Sequence, residues 1–330
     1  MPAHWVPLAA FTATLVTCWW LLRSRVALTV LDHPNERSLH HSPVPRTGGI
    51  GIHCGILLAW LLLPPNVSYV IWVGLAALII LSLLDDLKGL PVTLRLMVHV
   101  FVSAVVALHL FSASPSWIAI AIATIIITWM ANLYNFMDGS DGLAGGMTFW
   151  GFSFYGVAAY LSGDMGLSSI SFSVAASAAA FLLFNFYPAR VFMGDSGSVA
   201  LGYLAGTIGI MGWARGNWTW WFPLLVFSPF IVDASITLAR RTAGRVRIWQ
   251  AHRDHYYQRL VQLGWGHRRT ALAEYGLMTF CGAAALAGLR WSPAGQLALL
   301  LAATMLYVLI IGLIEIWTSA SRLQASSIIS

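Results

Sequence analysis

Apolar residues in this chain run in long blocks, and short polar stretches between them hold most of the charge. A helix crossing a hydrocarbon layer of roughly 30 Å needs about 20 mostly apolar residues. Eleven blocks approach that length: 5–22, 48–64, 69–84, 96–111, 117–133, 143–161, 167–187, 199–213, 218–238, 271–289 and 296–317. The pattern predicts an all-α fold, a polytopic transmembrane helical bundle of about 11 spans. The first block lacks a preceding basic region and a small-residue cleavage site, so it reads as a retained span. No repeat or linker interrupts the chain, which reads as one integral membrane domain over residues 1–330.

Threading the blocks alternately across a membrane places sixteen of the 18 basic residues on one side, leaving only Arg215 and Arg290 opposite. An excess of Arg and Lys marks cytoplasmic loops. The expected arrangement has the N-terminus outside, the C-terminus cytoplasmic, and cytoplasmic loops near 23–47, 85–95, 134–142, 188–198 and 239–270. Composition strengthens this reading. Hydrophobic residues make up 58% of the chain and charged residues 9%, against about 25% charged in soluble domains. The net charge of +6 reports topology and anionic lipid, not a nucleic-acid partner. Cys18, Cys54 and Cys281 lie far apart in apolar runs and form neither a disulfide framework nor a metal framework.

Ten of the twelve acids also fall on the cytoplasmic side, although acids hardly influence topology. Asp85-Asp86 ends the third block. Adjacent carboxylates repel unless a cation or base stabilises them, so metal binding, proton transfer and a solvated helix end are the open readings. Lys88 follows them and could meet a carboxylate or a phosphate. The stretch 132–146 gathers Asn132, Asn135, Asp138 and Asp141 among four glycines, a supply of oxygen ligands and amides where the backbone can approach a ligand. The stretch 184–198 sets Asp195 between glycines beside Asn185, Arg190 and Phe192. Asp195 suits an oxygen-ligated Mg²⁺; a tight turn is the alternative. The longest cytoplasmic loop carries His252-Arg253-Asp254-His255, suited to a diphosphate. His53, His99 and His109 sit in apolar blocks and read as packing histidines, and Asp233 lies within a span near its cytoplasmic end.

Taken in order, these strings resemble the polyprenyl-phosphate N-acetylhexosamine-1-phosphate transferase family, which includes the phospho-N-acetylmuramoyl-pentapeptide transferases. The resemblance begins at Asp32-His-Pro-Asn-Glu-Arg37-Ser-Leu-His40 and Pro43-Val-Pro-Arg46-Thr-Gly48-Gly49 and covers nearly the whole chain. It implies transfer of a sugar 1-phosphate from a UDP-N-acetylhexosamine to undecaprenyl phosphate, with release of UMP, at the start of O-antigen or related glycan synthesis. It also implies Mg²⁺, with Mn²⁺ as a candidate substitute, a bacterial inner-membrane location with a cytoplasm-facing site, and a candidate homodimer.

By the same resemblance Asp195 and Asp85 hold the metal, and Asp85, Asp86, Asp138, Asp141, His252 and His255 form the catalytic set. Arg46, Lys88, Asn132, Asn135, Asn185, Phe192 and Arg253 bind substrate, with Phe192 stacking on uracil. His-Arg-Asp-His replaces the contiguous histidine run of the peptidoglycan branch, which argues against a muramoyl-pentapeptide substrate. The alternative function is a cation-coupled membrane transporter, which would place ionisable sites near the midplane within repeated halves. A CDP-alcohol phosphotransferase would need an arginine that Asp141-Gly-Leu-Ala-Gly145 lacks.

Overall fold

The computed structural model describes the chain except residues 1–4, 29, 33, 35–38, 40–41, 64–67, 114, 247–251 and 330, and the side chains of Leu28, Leu87 and 322–329. Glu36, Arg37, His40 and Arg247 lie outside the described residues, as does the side chain of Arg322. Each apolar block carries helix: α1 (Val6–Arg23), α2 (Gly48–Leu61), α3 (Tyr69–Lys88), α4 (Val92–Leu110), α5 (Trp117–Met137), α6 (Leu143–Ser162) and α7 (Met165–Asn185). There follow α8 (Asp195–Ala214), α9 (Trp221–Val226), α10 (Ser228–Ala243), α11 (Tyr256–Leu260), α12 (Gly266–Gly288) and α13 (Pro293–Ile329).

Among the described residues eight helical stretches are long and apolar enough to cross a membrane: α1, α3, α4, α5, α7, α8, the continuous run through α11 and α12, and α13. That is fewer than the eleven expected from block counting. The remaining blocks contain α2, with 14 residues, α6, diluted by glycine and serine, and the α9–α10 pair, which is interrupted. The interruption has a local cause. Pro229 cannot donate to the preceding turn, and the hydroxyl of Ser228 donates to Leu225 O at 2.7 Å instead.

The helix ends are fixed by ordinary caps. Ser68 accepts from Val70 N at 3.2 Å to start α3, and Asp164 accepts from Leu167 N at 2.9 Å to start α7. At the other end of α3, Gly89 takes a left-handed turn with φ of 64° and its N–H returns to Asp85 O at 2.8 Å.

The centre of the bundle is α8, in which every residue from Ser196 to Gly212 is buried. It packs against α5, α3 and α2. Close approach explains its glycines. A Cβ at Gly202 would stand 2.3 Å from Met130 O in α5, and one at Gly49 in α2 would stand 2.6 Å from Gly197 N. These contacts hold the N-terminus of α8, where Asp195 sits, against two other helices. A short antiparallel pair, β1 (Leu31–Asp32) with β2 (Val44–Pro45), continues the same anchorage. Phe192 N donates to Pro45 O at 2.8 Å, and Gly48 N and Gly49 N donate to Phe192 O and Met193 O, both at 2.9 Å.

Candidate active site

A cavity of about 1070 Å³ opens where the ends of α3 and α5, the start of α8, and α4 and α11 meet. Its lining includes Arg46, Asp85, Asp86, Asn132, Asn135, Asp138, Asp141, Asn185, Phe192, Asp195, His252 and His255. These come from strings up to about 200 residues apart. Lys88 and Arg253 are exposed and are not among the lining residues. The left-handed turn after Lys88 reverses the chain beyond the Asp pair.

The acids of this cavity are not equivalent. Asp85 accepts from Arg95 through one oxygen and from Leu90 N at 2.7 Å through the other, so both its oxygens are engaged. Arg46 donates to Asp32 at 2.6 Å and stands 3.7 Å from Asp86. Asp195 is one-third exposed, and Arg95 Nη1 is 3.9 Å away. The carboxylate of Asp138 takes no hydrogen bond among the described residues. Burial first, then the negative charge of Asp195, pushes it well above the usual carboxylate range, and Arg46 offsets only part of this. Burial tends to lower the Arg46 pKa, but Asp32, with Asp195 and Asp86, outweighs it and holds the guanidinium above its ordinary value.

Two of the expected site residues serve as scaffold. Asn185 accepts from Gly142 N at 3.0 Å and donates to Val191 O at 2.9 Å, tying the start of α6 to the segment before α8. Asp141, 7% exposed, accepts from Ala189 N at 2.9 Å. His267 stitches the same rim: Ser140 Oγ is 2.9 Å from its Nδ1, and Leu39 O is 3.1 Å from its Nε2.

On the far wall, Tyr257 Oη donates to Phe136 O at 3.2 Å and seats α11 on the end of α5. This brings His255 into the cavity, its ring 6.3 Å from that of Phe136 and 5.0 Å from that of His252. His252 is pushed down to about 4 by burial, then by His255 and Arg241, so it is neutral at physiological pH.

Sequence reasoning missed several lining residues. Arg95 was absorbed into the topology count, and His99, expected to be a packing histidine, lines the cavity facing Asn132. The only local sign was a polar residue at the edge of an apolar block for Arg95, and one turn inside it for His99. Leu96, Val100, Ile125 and Trp129 also line it, so the acidic centre adjoins an apolar patch between α4 and α5.

Among the described residues no three His, Cys, Asp or Glu side chains converge on one metal position. The donor set instead fits an ion such as Mg²⁺, which takes one or two carboxylates and completes its shell with water and phosphate oxygens.

The sequence pattern of glycosyl transferase family 4 matches residues 68–213, the stretch carrying the Asp pair, the Asn132–Asp141 string and Asp195. Across that stretch, less than half of the chain, it is similar to glycosyl transferase family 4. The chain is also similar to a probable undecaprenyl-phosphate N-acetylglucosaminyl 1-phosphate transferase of Bacillus subtilis, 28% identical over 81% of this chain and 80% of the relative. Decaprenyl-phosphate N-acetylglucosaminephosphotransferase of Mycolicibacterium smegmatis is 26% identical over 96% and 90%. Phospho-N-acetylmuramoyl-pentapeptide-transferase of Moorella thermoacetica is 41% identical over only 29% of this chain and 30% of the relative. The match and these relatives support a multi-pass membrane enzyme of the glycosyl-1-phosphate transferase type, and nothing in them supports a transporter.

Proposed function

We propose that this enzyme transfers an N-acetylhexosamine 1-phosphate from a UDP-sugar to a polyprenyl phosphate at the cytoplasmic face of the bacterial inner membrane. UMP is released, and the lipid-linked diphosphate sugar begins O-antigen or related glycan synthesis. The observation that carries this reading is one cavity in which Asp86, Asp138 and Asp195 face Arg46 and Arg95 beside the apolar α4–α5 patch. A diphosphate and a lipid phosphate need the polar half, and a prenyl chain needs the apolar half. The names of the relatives supply the acceptor class.

Asp195 with Asp86 would hold Mg²⁺, because both oxygens of Asp85 are already engaged. The bound ion would supply charge neutralisation for the diphosphate. Arg95 lies at the polar end of α4 and is positioned to turn from Asp85 toward the acceptor phosphate. Phe192 offers a face for the uracil. Phosphoryl transfer of this kind depends on positioning and charge compensation more than on covalent help. The favoured route is in-line attack of an acceptor phosphate oxygen on the phosphorus bearing the sugar. The bond to the bridging oxygen breaks and its electron pair leaves with UMP.

Purified protein in lipid nanodiscs with Mg²⁺, undecaprenyl phosphate and a panel of UDP-N-acetylhexosamines should release UMP with at least one donor. The panel should include glucosamine, galactosamine, fucosamine and quinovosamine forms. No UMP from any donor, with the protein folded, would sink the proposal. The donor giving the highest kcat/KM identifies the sugar.

A further inference from the structure

Asp233 is an unusual residue for its place. It sits within α10, 7% exposed, where an isolated carboxylate is costly. Its two oxygens are fully used. Oδ1 accepts from Tyr256 N at 3.0 Å and from Thr237 Oγ1 at 3.2 Å, and Oδ2 accepts from Tyr257 N at 2.9 Å. Asp233 therefore receives the first two N–H groups of α11, although 22 residues separate it from His255.

The same Oδ1 lies 3.1 Å from His255 Nδ1. A carboxylate only accepts, so the proton of this bond belongs to Nδ1. His255 is 2% exposed, yet it lines the cavity, and Nδ1 is the ring nitrogen that meets Asp233. The ring is held by His252 on one side and by Phe136 and Tyr257 on others. One nitrogen is thus tied to a buried carboxylate, and the other meets no acid among the described residues.

We propose that Asp233 is a positioning residue that holds His255 as its Nδ1–H tautomer and presents an unprotonated Nε2 to the reacting phosphates. The inference rests on the transferase reading above. In that reaction the monoprotonated acceptor phosphate gives its proton to Nε2 as its oxygen bonds to the sugar-bearing phosphorus. The phosphorus–oxygen bond to UMP breaks, UMP leaves with the electron pair, and the imidazolium returns its proton to UMP or water. Asp233 stabilises the positive ring in between without taking the proton itself.

Two measurements on the full-length protein in nanodiscs test this. ¹⁵N-histidine NMR, with the resonance assigned by its loss in His255→Gln, should show Nδ1–H at His255 in the native protein and loss of that preference in Asp233→Asn. An Nε2–H tautomer in the native protein, or an unchanged tautomer in Asp233→Asn, overturns the proposal.

The second measurement is a double-mutant cycle on kcat for UMP release. His255→Gln should lower kcat by about 10²-fold, the usual range for a lost general base, and Asp233→Asn by at least ~10-fold. The double variant should match His255→Gln alone, because Asp233 acts through the ring. Additive losses, or a change confined to KM or melting temperature, would mean that Asp233 only caps α11. A native protein that releases no UMP rejects the transferase reading, while the tautomer measurement still decides the role of Asp233.

Discussion

Arg95 Nη1 stands 3.9 Å from the carboxylate of Asp195 while the same nitrogen donates to Asp85. One guanidinium therefore partly neutralises two acids from different helices, α3 and α8. A phosphate entering between them would compete for that cation. Arg95→Gln should cut kcat for UMP release by about 10²-fold, in the range for loss of a donor to transition-state charge. Arg95→Lys should restore little, since an ammonium cannot reproduce the planar fork. Wild-type turnover in the Gln variant would remove Arg95 from the reaction.

Asp195→Asn should abolish turnover with little cost to folding. The side chain is one-third exposed, its ion pair with Arg95 is long, and the close contacts of its segment are made by backbone. Thermal unfolding in detergent should change by less than about 1 kcal/mol, while UMP release falls below detection.

Asn185→Ala should behave in the opposite way. It removes an acceptor from Gly142 N and a donor from Val191 O, both buried. Groups left unsatisfied cost about 1–3 kcal/mol each, so a denaturant titration should show a marked loss of stability. The apparent affinity of the surviving folded fraction for UDP-sugar should change little. A weakened affinity with unchanged stability would return Asn185 to the substrate.

Phe192→Ala should raise the KM for UDP-sugar on the order of 10-fold, the scale of a lost base–aromatic stack, with kcat nearly retained. Inhibition by UMP should weaken in parallel. An unchanged UMP affinity would count against stacking.

His252 offers a test by pH. Its folded value, pushed down to about 4, lies below the roughly 6.5 of a free histidine. The unfolded chain therefore binds a proton that the folded one refuses. The stabilising effect is complete above about pH 6.5 and is lost as pH falls toward 4. Melting temperature should drop more steeply across that window for the native protein than for His252→Gln, which does not titrate. Parallel curves would show that the ring is not held neutral.

The sequence made local chemistry legible and left long-range pairing hidden. Asp85-Asp86, Asp138 and Asp195 each stand out because an acid at the edge of an apolar block is conspicuous, and all three strings reach one cavity. Asp141 and Asn185 stand out for the same reason, yet they tie loops together. A string reveals that a polar group is buried but not whether protein or ligand satisfies it. Lys88 stands beside the Asp pair along the chain, yet it is exposed and is not among the residues lining the cavity. Arg95 was hidden by the rule that reads every cytoplasmic arginine as topology. The Asp233–His255 pair could not be read at all, since nothing local links positions separated by a loop and a helix end. The eleven blocks outnumber the eight stretches that are long and apolar enough to cross a membrane among the described residues. A helix surrounded by protein can be less apolar, and one interrupted by proline can still fill a block.

The sheathing of α8 by other helices has a mechanical consequence. Bilayer thickness, detergent packing and lateral pressure act first on the lipid-facing helices, and α13 exposes Leu297, Leu301, Met305, Val308, Leu309 and Leu313 along its length. The carboxylate of Asp195 instead rides on a strut that has neighbours on all sides. A change of membrane should therefore alter how readily the acceptor lipid enters long before it disturbs the phosphate-binding end of the cavity.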